Sequence, residues 1–151
     1  MALFNLDKEW LFFNQLSEEL VKNVIDNTFN LYKVAVAESS TNVYGESTET
    51  TYLPAVQVYG IFTRNPQENV EGEHGINVTQ KITFALQRED LKLKQVYPEV
   101  GDILEYNSSF FEINNVEENV LIRGDVDHNF SIVCTTHLTR KSRLDIEPRQ
   151  Q

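Results

Sequence analysis

The chain has a single cysteine, Cys134, among its 151 residues. One thiol cannot close an internal disulfide, so a reducing interior, or a particle assembled in one, is the simplest compartment. It also lacks a run of about eighteen apolar residues, which gives no expectation of a transmembrane helix and no membrane partner. Its start, "MALFNLDKEWLFFNQL", has neither a basic n-region nor a small-residue cleavage site, which argues against a signal peptide. Basic residues are short as well, 13 Lys and Arg against 23 Asp and Glu, for a net charge of −10. Favourable phosphate contact requires Lys and Arg, so this is a poor candidate for gripping nucleic acid. Acidity contributes solubility, or a surface that faces nucleic acid without sticking to it.

Catalytic signatures are missing too. There is no G-x-S-x-G, no phosphate-cradling glycine loop and no Cys–His arrangement of known spacing. His74, His128 and His137 stand apart from other ligands, so no zinc-like site is expected. Acid pairs are frequent: Glu18-Glu19, Glu89-Asp90, Glu117-Glu118, and Asp125 with Asp127. A glycosidase-like centre would hold two carboxylates about 5–10 Å apart across a cleft. Asp125-Val126-Asp127 is a fragment of a calcium loop without its glycine or distant glutamate. Solvated acidic turns explain these pairs better. The expectation is no enzyme: no catalytic residue, no cofactor and no metal.

What is present is a core-forming composition, 40% apolar and 11% aromatic, with length for one domain or one domain plus an extension. Residues 7–33 carry a helical pattern, with Asp7 as cap and Trp10, Leu11, Phe13, Leu16, Leu20, Val24 and Ile25 at three- and four-residue steps. A break near Asn14–Ser17 is plausible. This stripe must lie on something, the β domain behind it or a neighbouring subunit. Residues 37–52 are polar around Tyr44-Gly45 and read as a loop, unusually long unless it is functional or mobile.

From there the period becomes two. Residues 53–64 read as a strand begun at Pro54, residues 65–75 as a polar excursion, and 76–87 as one alternating strand. "REDLKLKQVYPEV" carries a short helical turn. Gly101-Asp102 turns the chain into "ILEY" and "FFEINNV", a hairpin connected by Asn107-Ser108-Ser109. In it Gly101 provides the turn, Asp102 satisfies backbone donors, and Ile103, Phe111 and Ile113 build the core. Residues 119–129 form another excursion, and 130–139 a last strand with Phe130, Ile132, Cys134 and Leu138 on one side. Five or six short strands behind one helix predict a mainly β fold, an antiparallel barrel or sandwich with an N-terminal helix and long loops. The organisation expected is a helical arm over 1–36, the β domain over 37–139 and a charged tail over 140–151.

One ordered set of segments resembles a known family. Arg88-Glu89-Asp90-Leu91 is followed by Pro98, Gly101 and Asp102, then Phe111-Glu112-Ile113, then Val116, Glu118 and Asn119. With "VYGES" at 43–47, this resembles the neck proteins of tailed bacteriophages, over roughly residues 43–143 and most tightly 84–119. The resemblance implies a virion structural protein of the head-to-tail connector, assembled in the host cytoplasm. Its subunits would form a sixfold or twelvefold ring, contacting each other, the portal or an adjacent connector ring, and tail proteins. Double-stranded DNA would pass the lumen without specific binding, which net negative charge favours by repulsion. Tyr44, Gly45 and Glu46 of the loop, with Arg140, Lys141 and Arg143 of the tail, are the candidate interaction residues. Two other readings remain: a small acidic cytoplasmic β-barrel binding module with an apolar pocket, and an enzyme built on paired carboxylates.

Overall fold

The computed structural model describes residues 6–35, 40–41, 47–66, 68–72, 75–120 and 129–140. Helix α1 (Leu6–Glu19) runs into a π-helical segment, Leu20–Ile25. The strands are β1 (Thr28–Tyr32), β2 (Ser40–Thr41), β3 (Ser47–Glu49), β4 (Val56–Arg64), β5 (Glu68–Gly72), β6 (Gly75–Thr79) and β7 (Lys81–Gln87). Helix α2 (Arg88–Leu93) follows, then β8 (Ile103–Tyr106), β9 (Ser109–Val120) and β10 (Asn129–Thr139). Six of these strands close an antiparallel barrel in the order β1-β4-β7-β10-β9-β8.

The register shows how alternation fills that barrel. Strand residues directly opposite one another share a face. Phe29 faces Val58, Leu31 faces Leu104, Phe62 and Cys134 flank Phe84, and Ile132 faces Leu86. All of these except Phe62 are fully buried, and they join Phe111 and Ile113 in one cluster. Phe84 packs edge-on to Phe29 at 4.9 Å and to Phe111 at 5.7 Å between ring centroids. Thr136 faces inward among these side chains, and its hydroxyl donates to the Ile82 carbonyl at 2.8 Å. Large side chains thus pack the barrel's interior. Gly60 permits the close passage of β4 over β7, since a Cβ there would lie 2.5 Å from the Ala85 carbonyl oxygen.

Strand β8 is buried on both faces. Leu104 points inward, whereas Ile103 belongs to a second cluster outside, with Tyr32 and Phe110. Tyr52 covers that cluster, because residues after β1 pair with residues before β4: Ala35 donates to Thr51 and Leu53 to Lys33, both at 2.8 Å. The excursion between them therefore has a fixed base. Beyond the barrel, β5 and β6 form a two-stranded hairpin, as do β2 and β3.

Several elements differ from the sequence reading, among them the paired β2 and β3 within the 37–52 stretch that reads as a loop. The helix ends at Ile25, where Asp26 takes a left-handed conformation (φ 49°) and donates to Val21, and the chain turns into β1. Phe29 and Leu31 continue the helical spacing but also alternate, and seats between β4 and β8 decide for the strand. The run 76–87 is two strands, split at Gln80, whose carbonyl accepts from Leu138. Its first half pairs with residues 68–72, so the excursion there is a hairpin. In β9 the register slips between Ile113 and Asn115, leaving Asn114 as a bulge.

The β8–β9 hairpin turns through two residues only, Asn107 (φ 50°) and Ser108 (φ 62°). Two successive positive φ values define the turn that matches strand twist, and glycine is favoured at its second place. Ser108→Gly should raise stability by about 0.5 kcal/mol, the relief of left-handed strain less the added chain entropy. Urea unfolding measures it.

Candidate assembly site

Gly101 and Asp102 lie where the chain enters β8. Gly101 adopts φ 95°, in the region that favours glycine. Its N–H donates to Ile113 at 2.9 Å, and Ile113 returns the bond to the Asp102 carbonyl. Asp102 is 1% exposed. Its Oδ2 accepts from the Glu99 N–H at 2.8 Å, and its Oδ1 accepts from the Val34 N–H at 3.0 Å. Lys33 Nζ approaches Oδ2 to 3.0 Å and also reaches Glu99 Oε2 and the Tyr97 carbonyl, each at 2.8 Å. One buried carboxylate thus ties the end of β1, the base of the 36–50 excursion and the entry to β8.

A second buried carboxylate does similar work across the barrel. Asp90 in α2 accepts from the Tyr59 N–H of β4 at 3.1 Å and from Lys94 Nζ at 2.7 Å. Lys22, in the π-helical segment, stands 3.7 Å from its other oxygen and 2.6 Å from Glu18. Lys94 and Lys22 both lie over the Tyr59 ring, 5.0 and 5.7 Å from its centroid. This node anchors the helical arm to the barrel. The sequence reading gave Asp90 no such role, since its partners on β4 and the arm are remote in the chain.

The arm leaves much of its apolar surface in solvent. Phe13 meets Phe130 of β10 edge-on at 6.1 Å, so Phe130 serves the arm rather than the barrel core. Phe12 is 69% exposed, Leu16 53%, Leu20 49% and Val24 71%, and Leu11, Phe13 and Ile25 are exposed as well. The four-residue spacing of Phe12, Leu16, Leu20 and Val24 makes a continuous apolar stripe in solvent.

Among the candidate interaction residues, Tyr44, Gly45, Glu46, Lys141 and Arg143 lie outside the described residues. Arg140 is exposed directly after β10. Of the acids weighed for catalysis, Asp125 and Asp127 lie outside the described residues, as do His74 and His128. Glu117 bonds to Asn115 and Glu118 to Asn129 and Tyr97, ordinary partners along the strands. His137 sits on the outer face with Nδ1 2.7 Å from the Asn114 oxygen. Among the described residues no group of three or more His, Cys, Asp and Glu gathers to hold a metal. Burial, helped by the charge of Asp102, pushes the Cys134 thiol up to about 12, so it stays protonated inside the barrel. Among the described residues no helix is long and apolar enough to cross a membrane.

A closed six-stranded antiparallel barrel with an apolar helical arm on its outside is thus the class of fold. No protein-family profile matches the chain, and no curated protein matches it. Among solved structures, a chain from the virion of a native gene transfer agent particle is similar, with a TM-score of 0.54 at 13% identity. The likeness covers 74% of this chain and 91% of that one. At that identity what is shared is the fold.

Burial opposes the charge on Lys33, yet its bonds to Glu99 and Asp102 outweigh it and raise the ammonium above its ordinary 10.5. Glu99, bonded to Lys33, is lowered below 4.5. A raised base stabilises while charged and loses that as pH climbs through its folded value, whereas a lowered acid loses its share as pH falls below 4.5. Asp102→Ala should lose about 3 kcal/mol near neutrality, because two N–H groups and an ammonium lose their acceptor. The stability difference between wild type and Lys33→Met should hold between these limits and shrink above pH 10.5 and below 4.5. Denaturant unfolding across pH checks both.

Proposed function

We propose that this chain is a structural protein of a phage-like virion, forming a ring of the neck between portal and tail. The observation that carries the reading is the shared fold with a virion chain, along 91% of that chain's length. The segments resembling phage neck proteins, Arg88–Leu91 through Asn119, were read from sequence and add independent support. In this reading the barrel is a rigid block, and its work is contact.

The geometry accords with that role. The described barrel interior is packed with Phe29, Phe84, Phe111 and their neighbours, which favours a rigid block over a ligand carrier. The two buried carboxylates fix the bases of the arm and of the 36–50 excursion, as a building block requires. Copies would form a sixfold or twelvefold ring contacting the portal or an adjacent connector ring and the tail. Tyr44, Gly45 and Glu46 would act as loop contacts, with Arg140, Lys141 and Arg143 in the tail. Net charge of −10 would let DNA slide through without capture.

Mass spectrometry of gradient-purified particles from cells carrying the gene tests this reading. The expected result is this chain at a small fixed copy number per particle, a multiple of six. Its absence from intact, tailed particles would contradict the reading.

A further inference from the structure

The exposed stripe of the arm faces away from its own barrel. Lys22 beside Asp90 and Phe13 against Phe130 hold the arm to the barrel, with Phe13 itself still 41% exposed. The surface also carries an apolar groove. It lies along α2 and the segment after it, about 250 Å³ in volume, with Leu91, Val96, Tyr97 and Ile132 along it. Leu93 (74% exposed) and Val100 (66%) extend the apolar surface from the same segments. Arg88 and Lys92 also line the groove.

Groove and stripe match in chemistry and cannot meet within one chain. Along α2 and the residues just after it, Asp90, which faces Lys22 of the arm, and Lys94, which bonds to Asp90, lie on one side, whereas Arg88, Leu91, Lys92 and Gln95 line the groove from another. Swinging the arm over its own groove would break the Lys22–Asp90 pair. Charge also agrees. At 3.6 residues per turn Glu9 and Glu19, both exposed, fall beside Phe12 and Leu16 on the stripe. The segment from Leu6 to Ile25 has four acids against two lysines, and the groove is lined by Arg88 and by Lys92, which is paired with Glu89 at 3.0 Å.

From these observations, and resting on the virion reading, we infer that the arm of one subunit docks by Phe12, Leu16, Leu20 and Val24 into the α2 groove of a second copy. Such a contact joins two different patches. It is head-to-tail, so it propagates from copy to copy and closes into a ring when the rotation permits. Arm residues and groove residues are then the two halves of one joint, and each subunit contributes both.

Two variants at exposed positions separate the halves: Leu16→Glu with Leu20→Glu on the stripe, and Lys92→Glu with Gln95→Glu at the groove. Sedimentation velocity should show the wild type associating with concentration. Each variant alone should be monomeric, its association weakened about tenfold or more. An equal mixture should form heterodimers and stop there, because it retains one intact stripe and one intact groove. A groove variant that still dimerises would mean stripe meets stripe and would overturn the inference. A monomeric mixture, or a wild type monomeric at every soluble concentration, would also overturn it. A wild type that is monomeric yet present in purified particles rejects this joint alone. Self-association of a chain absent from particles rejects the virion reading and leaves the joint standing.

Discussion

A closed barrel with a filled interior has nowhere to put a helix. Six strands pair around the full circle, so no edge within it is open, and the inward side chains occupy the space a helix might otherwise cover. The apolar arm before β1 is consequently left outside. Contacts that tie it down include the Lys22–Asp90 pair, Lys22 over the Tyr59 ring and Phe13 against Phe130, while Phe12, Leu16, Leu20 and Val24 stay in water. Much of the rest follows from that constraint: where the anchors must be, which surface is unsatisfied, and why contact with another molecule is the natural use of the fold.

The two buried carboxylates solve the same problem at different places. A strand end or excursion base buried against a barrel leaves N–H groups that strands cannot satisfy. Asp102 accepts from Val34 and Glu99, and Asp90 accepts from Tyr59, each with a lysine to balance the charge. Each carboxylate serves segments distant in sequence. That makes the attachments rigid without adding apolar surface, and it leaves the arm's stripe and the α2 groove free to serve as contacts.

Much of the barrel was legible because alternation is a local signal. Ile82, Phe84 and Leu86 in β7, Ile132 and Cys134 in β10, and the β8–β9 hairpin all read at period two. The end of the helix was not, because "TFNLY" carries apolar residues that fit both periods and only pairing with β4 and β8 decides. The β5–β6 hairpin was hidden because alternation runs unbroken through Gln80, where the structure changes partners. Ile103 is a fully buried core residue as expected, but in the cluster outside the barrel, since two successive buried residues must face opposite sides. Asp102 drew notice from its place after Gly101, whereas Asp90 looked like one acid in a helical turn. Its partners were set by tertiary placement. The arm's exposure was likewise invisible, because a stripe in sequence does not say what covers it.

The account's central claim is that this barrel builds a particle by contact between copies. Cryo-electron microscopy of the neck in purified particles tests it most directly. The account predicts a closed ring of six-stranded barrels with each arm lying across the adjacent subunit. A neck fully accounted for by other chains, with no density for this barrel, would contradict it.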